Sequence, residues 1–357
     1  MSDTESLKPN FLRRALAERS VKLLFIFIFS VASGLIGEVY SALFYGNEDQ
    51  DYYQGFRTGF SIGLFASLFE IAYLRTARRG WIRRLAFVPG LVIRILILTL
   101  IVRLCLVLND LLTDYLTGAE ITLERDISSE ARDTLFSLAL VVFFVVQFQF
   151  SSLIGFKRFN NLVLGRYFKP VEEERIFLFV DLVGSSEAAR KLGDVRFHEY
   201  LSEFFYQIDR AIVRNGGEIV SYVGDAVILT WPLHAKTAKN SACLKTLVFM
   251  LDQLERERAF FENEFGQFPH FRASLHCGPI VVGECGNSRR QVTFLGDVVN
   301  MTARIEKACK DEDIPYLASE AAVSRIEPID GVRFKPYKKI DLKGADQAFN
   351  LFEIAIG

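Results

Sequence analysis

Four apolar stretches, near residues 21–44, 56–74, 88–108 and 134–156, dominate the first half of the chain. Each is long enough to cross a hydrocarbon core as a helix, which takes about 20 residues. The segments that join them alternate in charge. The amino-terminal flank carries Lys8, Arg13, Arg14, Arg19 and Lys22, and the second connection carries Arg75, Arg78, Arg79, Arg83 and Arg84. Lys157, Arg158, Arg166 and Lys169 follow the fourth stretch. The first connection instead holds Glu48, Asp49 and Asp51, and the third holds Asp110, Asp114, Glu120, Glu124, Asp126, Glu130 and Asp133. Basic segments stay on the cytoplasmic side, so this alternation predicts a multi-pass protein of the cell (inner) membrane, surrounded by lipid, with both termini cytoplasmic. Buried helices of a soluble protein would have no reason to alternate in this way.

Charges also sit inside or at the edges of these stretches: Glu38, Arg57, Glu70, Arg94 and Arg103. An Arg at the centre of a span costs about 2.5–3.5 kcal/mol on insertion scales, so it needs a partner or a cavity. Glu70 and Arg94 are a candidate pair, whereas Arg57 is expected to snorkel to the headgroups. None of the four histidines falls in a span, which excludes a bis-histidine haem.

The expected organisation is a cytoplasmic flank over 1–20, a four-span region over 21–156, a cytoplasmic linker over 157–174 and a globular domain over 175–357. No secretory signal is expected, because the first apolar run lacks a small-residue cleavage site and further spans follow it. A net charge of −1 offers no basic field for nucleic acid. The five cysteines, Cys105, Cys243, Cys277, Cys285 and Cys309, show no Cys-x-x-Cys spacing and read as reduced thiols.

In the globular half, Ile176–Val180 is a continuous apolar run, as in a buried strand. It ends in Asp181-Leu182-Val183-Gly184-Ser185-Ser186. A carboxylate at a strand end can hold a hard cation, and the amides of a following helix can face anionic oxygens. The alternative is a simple cap. Residues 195–214 then read as an amphipathic helix, and 218–223 and 226–231 as two strands joined at Gly224-Asp225, a hairpin tip that projects a second carboxylate. Two acids at strand ends are what a two-metal phosphoryl-transfer site requires. Phe271–Glu284 reads as a long strand broken at Gly278-Pro279 and Gly283, and Gln291–Leu295 as another. Asp297 is expected to cap a helix over 298–308 that carries Asn300 and Arg304 on one face, four residues apart.

Three segments together resemble the class III adenylate/guanylate cyclases: Phe179–Ser186 (Phe-Val-Asp-Leu-Val-Gly-Ser-Ser), Tyr222–Val227 (Tyr-Val-Gly-Asp-Ala-Val) and Phe294–Arg304 (Phe-Leu-Gly-Asp-Val-Val-Asn-Met-Thr-Ala-Arg). The similarity covers about 180 residues, from Arg175 to the end. Gly165–Pro170 resembles the short transducing segment that precedes such domains in membrane-bound bacterial members. The resemblance implies an α+β architecture, a four-helix transmembrane region followed by a ferredoxin-like α/β sandwich. It implies that Asp181 and Asp225 bind two Mg²⁺ or Mn²⁺ ions per site with help from the Leu182 carbonyl. Gly184 and Ser185 would face the phosphates, Asn300 and Arg304 would stabilise the transition state, and Lys343 would contact the triphosphate. The site would form between two copies of the chain, so a homodimer is implied.

Ser221 and Thr293 occupy the two base-selecting positions. Adenylate cyclases usually carry Lys at the first, and guanylate cyclases Glu at the first and Cys at the second. Thr is common at the second position in bacterial adenylate cyclases. A Ser–Thr pair can donate or accept. The favoured reading is a membrane-bound adenylate cyclase that turns ATP into cyclic AMP and pyrophosphate by attack of the ribose 3′ oxygen. The alternatives are a guanylate cyclase using GTP, and a catalytically silent membrane receptor with a cyclase-like nucleotide-binding domain. A diguanylate cyclase is disfavoured, because that family has no role for Asn300 and Arg304.

Overall fold

A computed structural model of the chain describes residues 8–44, 53–77, 87–118, 127–154, 165–235, 240–287, 291–340 and 349–357. The chain divides into two compact units, Met1–Ile154 and Gly155–Gly357.

The first unit holds four helices: α1 (Lys8–Phe44), α2 (Gln54–Ala77), α3 (Phe87–Thr117) and α4 (Ile127–Ile154). The expected stretches 21–44, 56–74 and 88–108 fall on α1, α2 and α3, and 134–154 falls on α4, with 155 and 156 outside the described residues. Among the described residues, two segments are long and apolar enough to cross a membrane, Ile26–Phe44 in α1 and Val88–Leu116 in α3. Both leave most of their side chains unburied within the unit.

Several polar side chains among the described residues of the unit are paired. The Arg94 guanidinium, 3% exposed, forms an ion pair with Glu70 and lies 5.1 Å from the Tyr73 ring centre. Arg103 donates to Thr134 at 2.8 Å. Arg57 donates to Asn109 Oδ1 at 3.3 Å and to Thr113. Two positions on α3 thus accept from one donor on α2. Glu38 of α1 accepts the backbone N–H of Phe56 at 2.9 Å, taking up an orphan amide at the start of α2. Helices α1 and α2 approach so closely that a Cβ on Gly59 would collide with the Ser33 carbonyl.

The second unit is an eight-stranded sheet with helices: β1 (Val171–Leu182), α5 (Ser185–Leu192), α6 (Asp194–Arg214), β2 (Glu218–Val223), β3 (Ala226–Pro232), α7 (Ala242–Arg256), α8 (Arg258–Phe265), β4 (Phe271–Cys285), β5 (Gln291–Leu295), α9 (Asp297–Asp311), β6 (Tyr316–Ser319), α10 (Glu320–Val323), β7 (Val332–Ile340) and β8 (Phe349–Ile356). The spatial order is β2-β3-β1-β4-β6-β8-β7, with β5 paired to β4. The segment from β1 through β4 interleaves two βαβ halves, the pattern of ferredoxin-like sheets.

Strand β1 runs through the middle, antiparallel to both β3 and β4. Its side chains alternate between faces. Ile176, Leu178, Val180 and Leu182 enter the larger core with Phe204, Ile208, Leu247 and Met250 from α6 and α7. Phe177 and Phe179 enter a second core with Ile228, Val282, Phe294, Val298 and Tyr167.

Three expectations are corrected. Strand β1 starts at Val171, inside the expected linker, because Val171–Glu174 pair with Pro279–Val282 on the extension of β4. Strand β4 is unbroken. Its glycines mark close approaches instead: a Cβ on Gly278 would meet Val298 at 2.8 Å, and one on Gly283 would meet Pro170 at 3.2 Å. Asp297 is the first residue of α9 rather than its cap. The cap position is Gly296, with no side-chain hydrogen bond.

The buried pair in the first unit gives a test. Arg94→Leu strands the Glu70 carboxylate and should destabilise the unit by about 3–5 kcal/mol, whereas Arg94→Leu with Glu70→Leu should recover most of that loss. Thermal unfolding of the full chain in detergent measures both.

Candidate active site

Asp181 sits one residue before the end of β1, opposite Ala226 of β3 and Arg272 of β4. Its side chain lies on the face that carries Phe177 and Phe179, by the alternation of the strand. The turn between β2 and β3 has two residues, Gly224 and Asp225, closed by the pair Val223–Ala226. Gly224 has φ 61°, a conformation that glycine adopts without the cost of a Cβ. The tip residue Asp225 therefore stands beside Ala226, the cross-strand neighbour of Asp181. A strand end and a hairpin tip thus bring the two carboxylates together.

Their electrostatics reflect that approach. The Asp181 carboxyl is held above the usual carboxylate range, first by burial and then by the charge of Asp225; Lys310, Glu306 and Arg272 oppose the rise. Glu306, on α9, hydrogen-bonds with Asp181 and is pushed up to about 7 by burial and by the charge of Asp181. Sequence reasoning missed Glu306. Its position two residues after Arg304 on an amphipathic helix was the available signal, since that places it on another face.

Leu182 is buried and pairs with Phe271. Gly184 takes a left-handed conformation, φ 70°, at the start of α5. Ser185 opens that helix, so its amide belongs to the first turn, which has no acceptor within the helix.

Ser221 reaches the site face through a register shift. Ile219 pairs with Leu229, but after an irregularity Ser221 pairs with Ile228 instead of Val227. Ile228 belongs to the same core as Phe177, and Val227 to the other. A one-residue slip reverses the facing of every later side chain, so the bulge turns Ser221 away from the helical core. Tyr222 then faces that core, 4.7 Å from the ring centre of Phe205.

Thr293 pairs with Gly283 of β4, and its hydroxyl donates to the Gly283 carbonyl at 3.1 Å, with Cys285 Sγ at 3.2 Å. Asn300 is exposed and Arg304 half-buried on α9. Neither side chain has a hydrogen bond or ion pair among the described residues. Lys343 lies outside the described residues, so the structure does not bear on its expected role.

His276 is a packed core residue bonded to Ser319 Oγ at 2.7 Å. Four of the five free cysteines are buried, and Cys285 is exposed. Among the described residues, no group of three or more His, Cys, Asp or Glu is disposed to hold a metal ion. The donor set is the Asp181–Asp225 pair.

A carboxyl whose folded value is raised binds its proton more tightly folded than unfolded. The stability it gives is fully present below the ordinary Glu value of 4.5 and is lost as pH rises through about 7. In EDTA, the thermal midpoint of the full chain should therefore fall across that window, and Glu306→Gln should flatten the fall.

Comparison with known proteins gives the family. The family of the adenylate and guanylate cyclase catalytic domain matches residues 169–353. Adenylate cyclase 2 of Rhizobium meliloti (strain 1021) is 37% identical over 205 residues, 57% of this chain and 56% of that protein. Adenylate cyclase 1 of the same organism is 28% identical over 242 residues, 66% of this chain and 34% of that protein. The chain thus spans about half or less of the length of these curated relatives. A bacterial light-regulated adenylyl cyclase of known structure superposes with a TM-score of 0.51 at 17% identity, covering 64% of this chain and 65% of that one, a likeness of fold. With a match over half of its length, set on the strand end and hairpin described above, the chain belongs to the adenylate and guanylate cyclase catalytic domain family.

Proposed function

We propose that the chain is a membrane-bound adenylate cyclase, active as a homodimer. The observation that carries the reading is the convergence of Asp181 and Asp225, two hard oxygen donors whose mutual charge and partial burial leave the site short of positive charge. That donor chemistry fits Mg²⁺ or Mn²⁺, with the Leu182 carbonyl as a further oxygen. When bound, two such ions would supply the charge that makes the ribose 3′ hydroxyl acidic and neutralises the phosphates. Gly184 and Ser185 would orient the phosphates through the helix amides.

The face of α9 supports the dimer. Residues on a helix turn about 100° each, so Asn300 and Arg304 lie within about 40° of one another. Glu306 is about 200° from Arg304, and it is Glu306 that touches Asp181 of its own chain. Asn300 and Arg304 thus point away from their own carboxylates. A second copy would receive them, Arg304 clamping the α-phosphate as it gains charge and Asn300 holding the ribose. Lys343 would hold the triphosphate from the same copy.

The nucleobase reading rests on Thr293. Its proton is already committed to Gly283 or Cys285, so its oxygen offers only lone pairs to a ligand. Adenine presents an amino donor where guanine presents a carbonyl acceptor, so this threonine favours ATP. Ser221, turned to the site face by the bulge, can donate to adenine N1.

Residues 21–156 would form the four-span membrane region, with both termini cytoplasmic and 157–174 as the linker. The paired charges inside the helices and the alternating loop charges support that topology.

Full-length protein in detergent should convert Mn-ATP to cyclic AMP and prefer ATP to GTP, with Asp225→Ala reducing the rate to background. Thr293→Val, which removes the acceptor, should lower kcat/KM for ATP by about tenfold. Preference for GTP would overturn the base assignment, and no cyclic product from either nucleotide would overturn the enzyme assignment. In the same preparation, Mn²⁺ should raise the thermal midpoint more at pH 8 than at pH 6, because the carboxylates must lose their protons to bind it.

A further inference from the structure

At the far end of β1 from Asp181, the same sheet face carries an ionic cluster that the catalytic reading does not use. Its centre is Arg175, 2% exposed. The guanidinium donates through Nε to Glu173 at 2.7 Å, through Nη1 to Glu218 at 3.3 Å and through Nη2 to the Tyr167 hydroxyl at 3.1 Å. Its carbon lies 5.2 Å from the centre of the Phe294 ring, which also packs edge-on against Phe177 at 6.2 Å. The surrounding charges more than offset burial, so Arg175 holds its proton more tightly than an ordinary arginine.

The partners of this arginine lie on the strands of the two base-facing residues. Glu218 opens β2, three residues before Ser221, on the near side of the bulge that sets the facing of Ser221. Phe294 follows Thr293 on β5, and its ring points into the core from the opposite face of that strand. Tyr167 joins the cluster to the segment that enters the domain. It is 3% exposed, its hydroxyl donates to Glu173 at 3.2 Å, and its carbonyl accepts from Glu284 N–H at 3.0 Å. Pro170 then packs on Gly283, the cross-strand neighbour of Thr293.

A buried arginine with this many partners is a costly way to fill space, since apolar side chains of the same volume are often at least as stabilising. What it adds is geometry: a planar fork fixes the relative placement of groups on separate elements. We propose that Arg175 is a positioning residue for nucleobase recognition, fixing the strand of Ser221 relative to the strand of Thr293, and that Tyr167 ties this placement to the chain segment entering the domain. The proposal rests on the reading of Ser221 and Thr293 as base-facing positions. Arg175 acts through these strands and touches no substrate. A shift of the Gly165–Pro170 segment would therefore change nucleotide selectivity and affinity while leaving Asp181 and Asp225, about 20 Å along the strand, in place.

The test uses the full chain in detergent with three variants. Tyr167→Phe removes one hydroxyl and keeps the ring. Arg175→Lys keeps the charge and loses the fork. Tyr200→Phe makes the same deletion in the helical core, away from both strands. Binding of fluorescent ATP and GTP analogues is read beside kcat and KM for both nucleotides. Tyr167→Phe and Arg175→Lys should each change the ATP-to-GTP ratio by about threefold or more, through KM rather than kcat, while Tyr200→Phe leaves it at the wild-type value. An unchanged ratio in folded Tyr167→Phe overturns the proposal, as does an equal change in Tyr200→Phe. If Arg175→Lys does not fold, Tyr167→Phe decides alone. If the wild type binds nucleotide but forms no cyclic product, the cyclase reading fails and the binding ratio still decides the proposal; if it binds neither nucleotide, both fall.

Discussion

The alternation of side chains along β1 is the constraint on which the catalytic unit depends. The strand is paired on both edges and covered on both faces, so each residue has one of two environments, set by parity. Even positions from Ile176 to Leu182 meet the helical core, and odd positions from Arg175 to Asp181 meet the second core and the site. Asp181 cannot change face without moving Phe177 and Phe179 into the space of α6 and α7. The ladder to β3 fixes Asp181 opposite Ala226, and through Ala226 it fixes the hairpin tip. Two carboxylates that repel one another are kept together because the sheet gives them no alternative placement.

Much of this was legible in the sequence, for physical reasons that can be named. A run such as Ile176–Val180 has no polar face, so it must be covered on both sides. Gly224-Asp225 between two apolar alternations allows little except a tight hairpin. What escaped notice depends on neighbours distant in sequence. The bulge at Val220 leaves no mark, because Ile219, Val220 and Ser221 are all acceptable strand residues and only the pairing with β3 reveals the slip. Gly278 and Gly283 look like breaks until Val298 and Pro170 are seen pressing on them. Glu172-Glu173-Glu174 looks like a solvated linker until Glu173 is found holding Arg175. Glycine signals either freedom or proximity, and a charge either solvation or pairing; local sequence does not separate these.

The same ambiguity governs the helical unit. Arg57 and Arg94 are both cations in apolar surroundings, and composition treats them alike. Arg94 meets a carboxylate on α2, and the partners of Arg57 include an amide and a hydroxyl on α3. A buried ion pair demands both members. The Glu70–Arg94 contact is therefore a stringent restraint on how α2 and α3 pack.

Helix α9 carries the furthest consequence of the fold. One side is anchored by Met301, Ile305 and Cys309 in a core with Leu317 and Leu351. Glu306 reaches the Asp181 of its own chain, and Asn300 and Arg304 face outward. In the proposed dimer this helix would belong to both sites at once, one through the carboxylate it touches and the other through the groups it presents. A rigid helix cannot translate toward one site without altering its distance from the other. Occupancy of one site would then be felt at its twin through a single packed element, with no change of fold. The coupling would be strongest where Glu306 must give up its hydrogen bond with Asp181, because that exchange is the local event that cation binding and helix position would share.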